Sequence, residues 1–505
     1  MASQLQHSVP SGSGPSPQSH VAQAQELLAA GRAAEALASA ELALAAAPGL
    51  SAAQMVRAAA VQQLQAGDPA LTALELTAVI RGEDPKAQLD LAHAYVGLDR
   101  PADAERYFKR ALAIAPKLAV AHAGLGALYL SVGIEDGAEH HSRLALRCDP
   151  GHALASQTLA EILDRRGDAQ AACALLDEAY SRQNLFLEPA PESRMTVLVL
   201  STEAAGNIPY RHILPAQHYT RLVWFMEHAS EEQFGALPPH DVVFNAIGDP
   251  DLAGPSAGAV QRFLRSCGRP VLNDPLLIPR TSRNLTPVTL GEIEDVVVPA
   301  AARIELAAVA RLGARRAVAE TGLEPPLLVR PTGSHGGKGL ERALTWDALE
   351  AAAAAQGEQD LYVTAYHDYR SADGLYRKGR VVFVDRRPFP YHWAGSSHWM
   401  VHYDASGAGA DAARRAEERS FLEDPAAMLG ERAWAAIARI GHKLDLDYCG
   451  LDFSVLPNGR VLVFEANATM LVHPEDEAGP LAYKNPAVLR ITEAFQARLQ
   501  ALAAR

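Results

Sequence analysis

The sequence is poor in the features that mark a secreted, membrane-spanning or nucleic-acid-binding protein. Only four cysteines occur in 505 residues, at 148, 173, 267 and 449. They make no metal-ligand spacing and are too few to staple a chain of this size, so a disulfide framework is excluded and a reducing, cytoplasmic compartment is expected. No run of about 18 apolar residues is present, which speaks against a membrane span. The opening MASQLQHSVPSGSGPSPQS has neither the basic nor the apolar region of a signal peptide. Positive charge is short as well: 46 Lys+Arg face 59 Asp+Glu, a formal net charge of -13. Neither 20–185 (14 basic, 20 acidic) nor 186–505 (32 basic, 39 acidic) is basic. Nucleic acid and anionic membrane are therefore not expected as partners. Lysine itself is scarce, seven against 39 arginines.

What is present is ordinary globular material, 49% hydrophobic and 21% charged, enough for several cores, and the length allows roughly three or four domains. Fibrous and wholly disordered classes drop out. Residues 1–19, rich in Ser, Gly and Pro, cannot repay the entropy of ordering and are expected to form a disordered tail.

An internal period follows. Pro48, Pro116 and Pro150 are separated by multiples of 34 residues, and Gly31, Gly133 and Gly167 keep the same phase. On that ruler Leu91, Leu125 and Leu159 share a position, as do Tyr95 and Tyr129. So do Ala36, Ala104, Ala138 and Ala172, and again Ala43, Ala111, Ala145 and Ala179. These residues resemble the tetratricopeptide (TPR) repeat. Small residues let two antiparallel helices approach, large apolar ones fill the seam, and proline ends the second helix. About five units are expected over 20–185, the second degenerate because it lacks a phased proline. Such a solenoid commonly holds a peptide or a partner protein.

The proline-punctuated stretch 186–194 reads as a linker. Beyond it MTVLVLS (195–201), DVVFNAIG (241–248) and PVLNDP (270–275), with a helical stretch around 256–266, alternate as a parallel α/β sheet would. At 327 the apolar LLVRP runs into TGSHGGKGL. Glycines 333, 336, 337 and 339 allow close backbone approach, while Arg330 and Lys338 bring positive charge, as a phosphate cradle needs. More than 100 residues later, LDFSVL and RVLVFEAN are joined by the turn Pro457-Asn458-Gly459. Asp452 sits on the first strand; Glu465 and Asn467, two apart, share a face of the second. Three such oxygen ligands suit Mg²⁺. From Arg370 to Arg387 six basic residues (Arg370, Arg377, Lys378, Arg380, Arg386, Arg387) stand against Asp373 and Asp385. The stretch FPYHWAGSSHWMVHY carries His392, His398 and His402. It has no zinc-enzyme spacing and reads as a half-buried strand surface with packed tryptophans, His392 being a candidate for acid/base help.

Together the glycine loop and the carboxylate hairpin resemble the ATP-grasp superfamily, closest to its glutathione-synthase-like and ribosomal-protein glutamate-ligase-like branches, over about 195–485. The resemblance implies an α/β pre-ATP-grasp domain at 195–300 and an α+β ATP-grasp domain at 301–505 behind the all-α solenoid. It implies ATP held by Arg283, Arg330, Ser334, Gly336, Gly337, Lys338 and Gly339. Asp452, Glu465 and Asn467 would hold Mg²⁺, as two ions with Mn²⁺ able to substitute. Arg380, Arg377 and His392 are the catalytic candidates. The chain departs from the family by carrying arginine where two lysines are usual, at 283 and 330, which keeps charge but changes geometry. Its match to the D-x-R-V-x-V strand is partial, with Arg380 in RVVFVD. The implied reaction is an ADP-forming, acylphosphate-mediated joining of a small-molecule or peptide carboxylate to an amine, thiol or hydroxyl, C–N formation first among them. The substrate would be a peptide or protein presented by the repeats. A non-catalytic ATP-binding scaffold and a small-molecule phosphotransferase stay open, as does the oligomeric state.

Overall fold

The computed structural model of the chain describes residues 15–65, 68–203, 206–334, 336–356, 359–401 and 412–504. The chain divides into two compact units, Met1–Gln183 and Asn184–Arg505.

The described residues of the first unit form ten helices in five consecutive hairpins: α1 (Pro17–Ala29) and α2 (Ala33–Ala46), α3 (Ser51–Gln65) and α4 (Pro69–Ile80), α5 (Pro85–Gly97) and α6 (Pro101–Ile114), α7 (Ala119–Ser131) and α8 (Glu135–Cys148), α9 (Ala153–Arg165) and α10 (Ala169–Arg182). The odd-numbered helices start 34 residues apart without exception. Among the even ones only α4 is out of phase. It starts two residues late, capped by Asp68, whose carboxylate accepts from the amides of Ala70 and Leu71. The degenerate second repeat thus has a first helix of 15 residues, where the other repeats have 13, and a second of 12, where they have 14. Elsewhere the inter-helix turn needs one residue at positive φ. Gly31, Gly133 and Gly167 supply it at 72°, 77° and 86°, and Asp99 takes the same position at 54° without glycine's freedom. The phased alanines 36, 104 and 138, and likewise 43, 111 and 145, are fully buried at the helix–helix seams. Helix α1 begins at Pro17, capped by the Ser16 hydroxyl. Residues 17–19 are therefore helical, not part of a tail, because proline at the first turn and a serine cap favour helix initiation.

The described residues of the second unit form fourteen strands: β1 (Leu185–Glu188), β2 (Met195–Ser201), β3 (Tyr219–Phe225), β4 (Val242–Asn245), β5 (Val271–Leu272), β6 (Val296–Val297), β7 (Ala301–Ile304), β8 (Leu327–Pro331), β9 (Glu341–Ala343), β10 (Leu361–Ala365), β11 (Tyr376–Val384), β12 (Arg387–Ser396), β13 (Tyr448–Val455) and β14 (Val461–Asn467). They form three sheets, ordered β1-β3-β2-β4-β5, β7-β10-β8-β9 and β12-β11-β13-β14-β6. In the first, β3, β2, β4 and β5 are parallel and β1 is an antiparallel edge. Both faces are covered, which is why β2 reads as an unbroken apolar run. Val197 and Val199 pack with Ile491, Phe495 and Leu499 of the C-terminal helix Asn485–Ala503. Leu198 and Leu200 pack with Val260 and Phe263 of the helix Gly254–Ser266.

Two departures from the expected layout occur here. Strand β3 has no counterpart in the sequence reading, because Arg221 interrupts its apolar pattern. Arg221 is 4% exposed, paired with Glu188 Oε2 at 2.7 Å, and donates to the carbonyl of Leu214 at 3.0 Å. Its partner explains the second departure: residues 186–188 of the expected linker, with Leu185 before them, are the edge strand that brings Glu188 to Arg221.

The second sheet is antiparallel throughout. Leu327, Val329, Leu361 and Val363 pack under Ala317, Val318, Leu349 and Ala352 of two covering helices. In the third sheet Leu451, Phe453, Val461 and Val463 pack against Ile437, Ile440 and Leu444 of the helix Glu431–Leu444. Strict alternation then leaves Leu328 and Arg330 of β8, and Asp452 of β13, on the opposite faces of their sheets. The all-α, α/β and α+β order expected from the sequence is the order the chain adopts. Among the described residues no helix is long and apolar enough to cross a membrane.

Candidate active site

Those opposite faces enclose a cavity of about 400 Å³. Its apolar lining includes Val298, Leu328, Leu340, Leu462 and Phe464, and Tyr366, Tyr369 and Trp399 add aromatic walls. Its charged lining is Arg283, Arg330, Lys378, Arg380, Asp452 and Glu465, with His392 beside them.

The charged groups owe their placement to strand register. His392 on β12 lies opposite Arg380 on β11, Arg380 opposite Asp452 on β13, and Asp452 opposite Glu465 on β14. Four residues that span 86 positions in the chain therefore form one cross-strand row, reaching neighbours about 5 Å apart at each step. Register shifts fall within the row, after Arg380 and after Asp452, where bulges re-aim side chains.

The contacts within the row are short. Arg380 grips Asp452 with two parallel hydrogen bonds, Nε to Oδ1 at 2.6 Å and Nη2 to Oδ2 at 2.9 Å, and Lys378 Nζ reaches Oδ2 at 2.8 Å. Glu465 Oε2 accepts from Arg283 Nη2 at 2.7 Å and lies 3.8 Å from Arg330 Nη1. Burial alone would raise the Asp452 acid, but the Arg380 and Lys378 cations hold it well below the usual carboxylate range. Glu465 is likewise raised by burial and lowered more by Arg283 and Arg330. Arg330 is pushed down to about 10, first by burial and then by the neighbouring Arg283 cation. His392 is pushed well below its ordinary value by burial, with Lys484 and Arg380 adding to it, so its imidazole is neutral at pH 7. Four cations thus face two carboxylates, and a site with that excess suits a polyanion.

The glycine-rich loop 332–340 closes one side. Gly333, Gly336, Gly337 and Gly339 all have φ between 62° and 77°, a backbone path that L side chains rarely follow. Gly336 and Gly337 line the cavity. Arg330 donates from Nε to the Ser334 hydroxyl at 3.0 Å and also to the Ser334 carbonyl, while Gln356 donates to the Gly339 carbonyl at 2.9 Å. His335 lies outside the described residues.

The sequence-derived candidates do not all converge. Arg283, Arg330, Gly336, Gly337, Arg380, His392, Asp452 and Glu465 line the cavity. Ser334 and Gly339 sit in the loop without lining it, and Lys338 is exposed and does not line it either. Asn467 falls in a small adjoining space of about 20 Å³ that it shares with Glu465 and Arg283, and its side-chain oxygen accepts from the Thr469 amide and hydroxyl, each at 2.6 Å. Arg377 is corrected as a catalytic candidate. It lies on the opposite face of β11 from Lys378 and Arg380, in ion pairs with Asp373 at 2.7 Å and Glu417 at 2.5 Å, because successive strand residues alternate sides. His398 is exposed, and His402 lies outside the described residues. Trp393 is buried against Phe421 and Phe453, as a packed strand surface requires, whereas Trp399 lines the cavity.

Two candidate positions were missed. Lys378 is visible in the basic window, and strand alternation would have set it with Arg380. Asp251 follows β4 in the loop IGDPD, at the carboxyl end of a parallel strand where ligand crevices form. Its carboxylate accepts from the Tyr362 hydroxyl at 2.7 Å and from the Gly333 amide at 3.4 Å, tying the glycine loop to the first sheet.

Asp452, Glu465 and Asn467 offer only oxygen donors, and the small space beside Glu465 and Asn467 is about the size of one water or hard cation. On donor chemistry the residues fit Mg²⁺.

No protein-family model matches the sequence, and no curated protein matches it. Solved structures are similar to each half. The VanG D-Ala:D-Ser ligase of Enterococcus faecalis covers 60% of this chain and 99% of its own, at 12% identity and a TM-score of 0.36. The carboxyaminoimidazole ribonucleotide synthase of Aspergillus clavatus, solved with ATP, covers 59% and 77%, at 14% identity and a TM-score of 0.36. A thermophilic TPR protein of Thermus thermophilus covers 33% and 92%, at 24% identity and a TM-score of 0.22.

Proposed function

We propose that the second unit is an ATP-grasp ligase, ADP-forming, that activates a carboxylate as its acylphosphate and passes it to an amine, and that the repeats bind the peptide or protein being modified. The observation that carries this reading is the row His392–Arg380–Asp452–Glu465, flanked by Arg283, Arg330 and Lys378, on the wall of a cavity of about 400 Å³.

Each group has work to do. The apolar walls suit a nucleobase, and the glycine loop with Arg283, Arg330 and Lys378 suits the triphosphate. Arg380 turns its Nε and Nη2 toward Asp452, and its remaining guanidinium N–H groups are the donors for a carboxylate or an acyl phosphate. The substrate carboxylate oxygen attacks the γ-phosphorus, the bond to the β-phosphate oxygen breaks, and ADP leaves. The amine then attacks the carbonyl carbon, phosphate departs, and the amine proton passes to a base, for which His392 on the cavity wall is the candidate. Mg²⁺, held by Asp452, Glu465 and Asn467 and with Mn²⁺ an admissible replacement, would supply charge neutralisation on the phosphates. An acylphosphate hydrolyses in water, so the glycine loop is placed to exclude it.

The experiment is ADP release from ATP by the full chain with a panel of free amino acids and short peptides as carboxylates. Carboxylate-stimulated release that Glu465→Gln abolishes supports the enzyme; release unaffected by any carboxylate argues for a scaffold. Deleting residues 20–185 should raise the Michaelis constant for a peptide substrate and leave that for ATP in place, and equal effects on both would refute presentation by the repeats.

A further inference from the structure

The first unit holds a pair of histidines that neither its packing nor the ligase chemistry requires. His122 on α7 is buried, and its Nε2 lies 3.1 Å from the carbonyl oxygen of Pro116. A carbonyl only accepts, so Nε2 carries the ring hydrogen and Nδ1 presents a lone pair. That Nδ1 lies 3.0 Å from Nδ1 of His141 on α8, with the rings stacked at 27° and their centroids 5.2 Å apart. His140 and Tyr129 wall in the His141 ring, at 5.2 Å and 5.7 Å between centroids. Burial, then the neighbouring His122 and His140, push His141 down to about 4, so the His141 ring is neutral at pH 7.

Two δ nitrogens converging from the two helices of one hairpin match two positions of a metal coordination shell. With Zn–N bonds of about 2.0–2.1 Å, two ligands of a tetrahedron stand about 3.3–3.4 Å apart, so the rings would part by only a few tenths of an ångström. The hydrogen bond from His122 Nε2 to a backbone carbonyl is the outer contact that orients metal-bound imidazoles and fixes their tautomer.

We propose that His122 and His141 form a binding site for a borderline divalent transition cation such as Zn²⁺, Ni²⁺ or Cu²⁺, bound through both Nδ1 atoms with water completing the shell. Binding moves the His141 proton from Nδ1 to Nε2, with no net proton gained or lost. The bound ion links α7 to α8 and stiffens the fourth hairpin. This site is independent of the ligase reading.

The test uses the full chain freed of metal with a chelator. Cu²⁺ added at one equivalent is read by electron paramagnetic resonance, and Zn²⁺ by calorimetric titration and by the helix melting of the repeats. The unaltered chain should show two nitrogen ligands on Cu²⁺, and its melting temperature should rise with Zn²⁺ by mass action. His141→Ala should lose one Zn²⁺ equivalent and the melting shift, and so should His141→Gln, a variant that keeps side-chain bulk if the alanine form folds poorly. Glu465→Gln, which alters the carboxylate site, should retain both. Equal stoichiometry and equal melting shifts in the unaltered chain and both His141 variants would overturn the proposal and leave the pair as a plain hydrogen bond.

Discussion

Replacing Asp452 by asparagine removes the charge that holds two cations at the floor of the cavity, and the cost follows from the contacts. Asp452 has 2% of its side chain exposed and accepts two hydrogen bonds from Arg380 and one from Lys378. Breaking a buried ion pair from one side costs about 3–5 kcal/mol. Arg380 and Lys378 are 27% and 28% exposed, so water reaches part of each cation. The expected loss for Asp452→Asn therefore falls below that range, at about 2–3 kcal/mol at pH 7. All five tryptophans lie between Trp224 and Trp434, in the second unit, so a urea titration followed by tryptophan fluorescence reports that unit without the repeats. Because the folded acid lies below its unfolded value, the stabilisation is complete at neutral pH. It fades as the pH falls below about 4, and the gap between the two proteins should close there. MgATP at 100 times its dissociation constant should add about 2.7 kcal/mol to the unaltered chain and much less to the variant. A variant within about 0.5 kcal/mol of the unaltered chain at pH 7 would refute the claim that Asp452 neutralises these cations.

Other outcomes follow from the same reasoning. Arg380→Ala should lower ligase turnover by about 10²–10³, the loss typical of one preorganised charge, whereas Arg377→Ala, on the far face of β11, should leave turnover in place; equal losses would restore Arg377 to the site. In the repeats, Glu35 is held at about 2, burial opposing and Arg32 and Arg110 lowering it. Glu35→Gln should destabilise the helices by about 2–3 kcal/mol at pH 7, read by far-ultraviolet circular dichroism, with the difference shrinking as the pH falls from about 4.5 towards 2. Gly441→Ala would drive its Cβ into the backbone oxygen of Arg386, well inside van der Waals contact. Because backbone yields little, the second unit should lose about 1–3 kcal/mol in the urea titration, and an unchanged midpoint would contradict the close approach of that helix to the β11–β12 turn.

The repeats were legible because a 34-residue period survives the loss of any single signature residue. Asp99 stands in for a turn glycine, and α4 starts late, yet the helices beyond both return to phase. The two clusters of polar residues were legible for a different reason: glycines with a basic strand, and alternating oxygen-bearing side chains on a hairpin, are local patterns. What was not legible depends on partners far away in the chain. Arg221 hides β3 until Glu188 of the edge strand is seen beside it. The row from His392 to Glu465 depends on which strands pair and where bulges fall, so Arg377 and Arg380 looked alike until the register separated them. Asp251 gained meaning only when the glycine loop was found resting on it.

The central claim is that the cavity of the second unit activates a carboxylate by phosphorylation. The most direct measurement is to incubate the full chain with MgATP, the carboxylate panel and hydroxylamine, and to quantify hydroxamate against ADP. The account predicts hydroxamate formed in step with ADP, dependent on the carboxylate and absent in Glu465→Gln. ADP accompanied by a stable phosphoester and no hydroxamate, or nucleotide binding without carboxylate-dependent release, would contradict it.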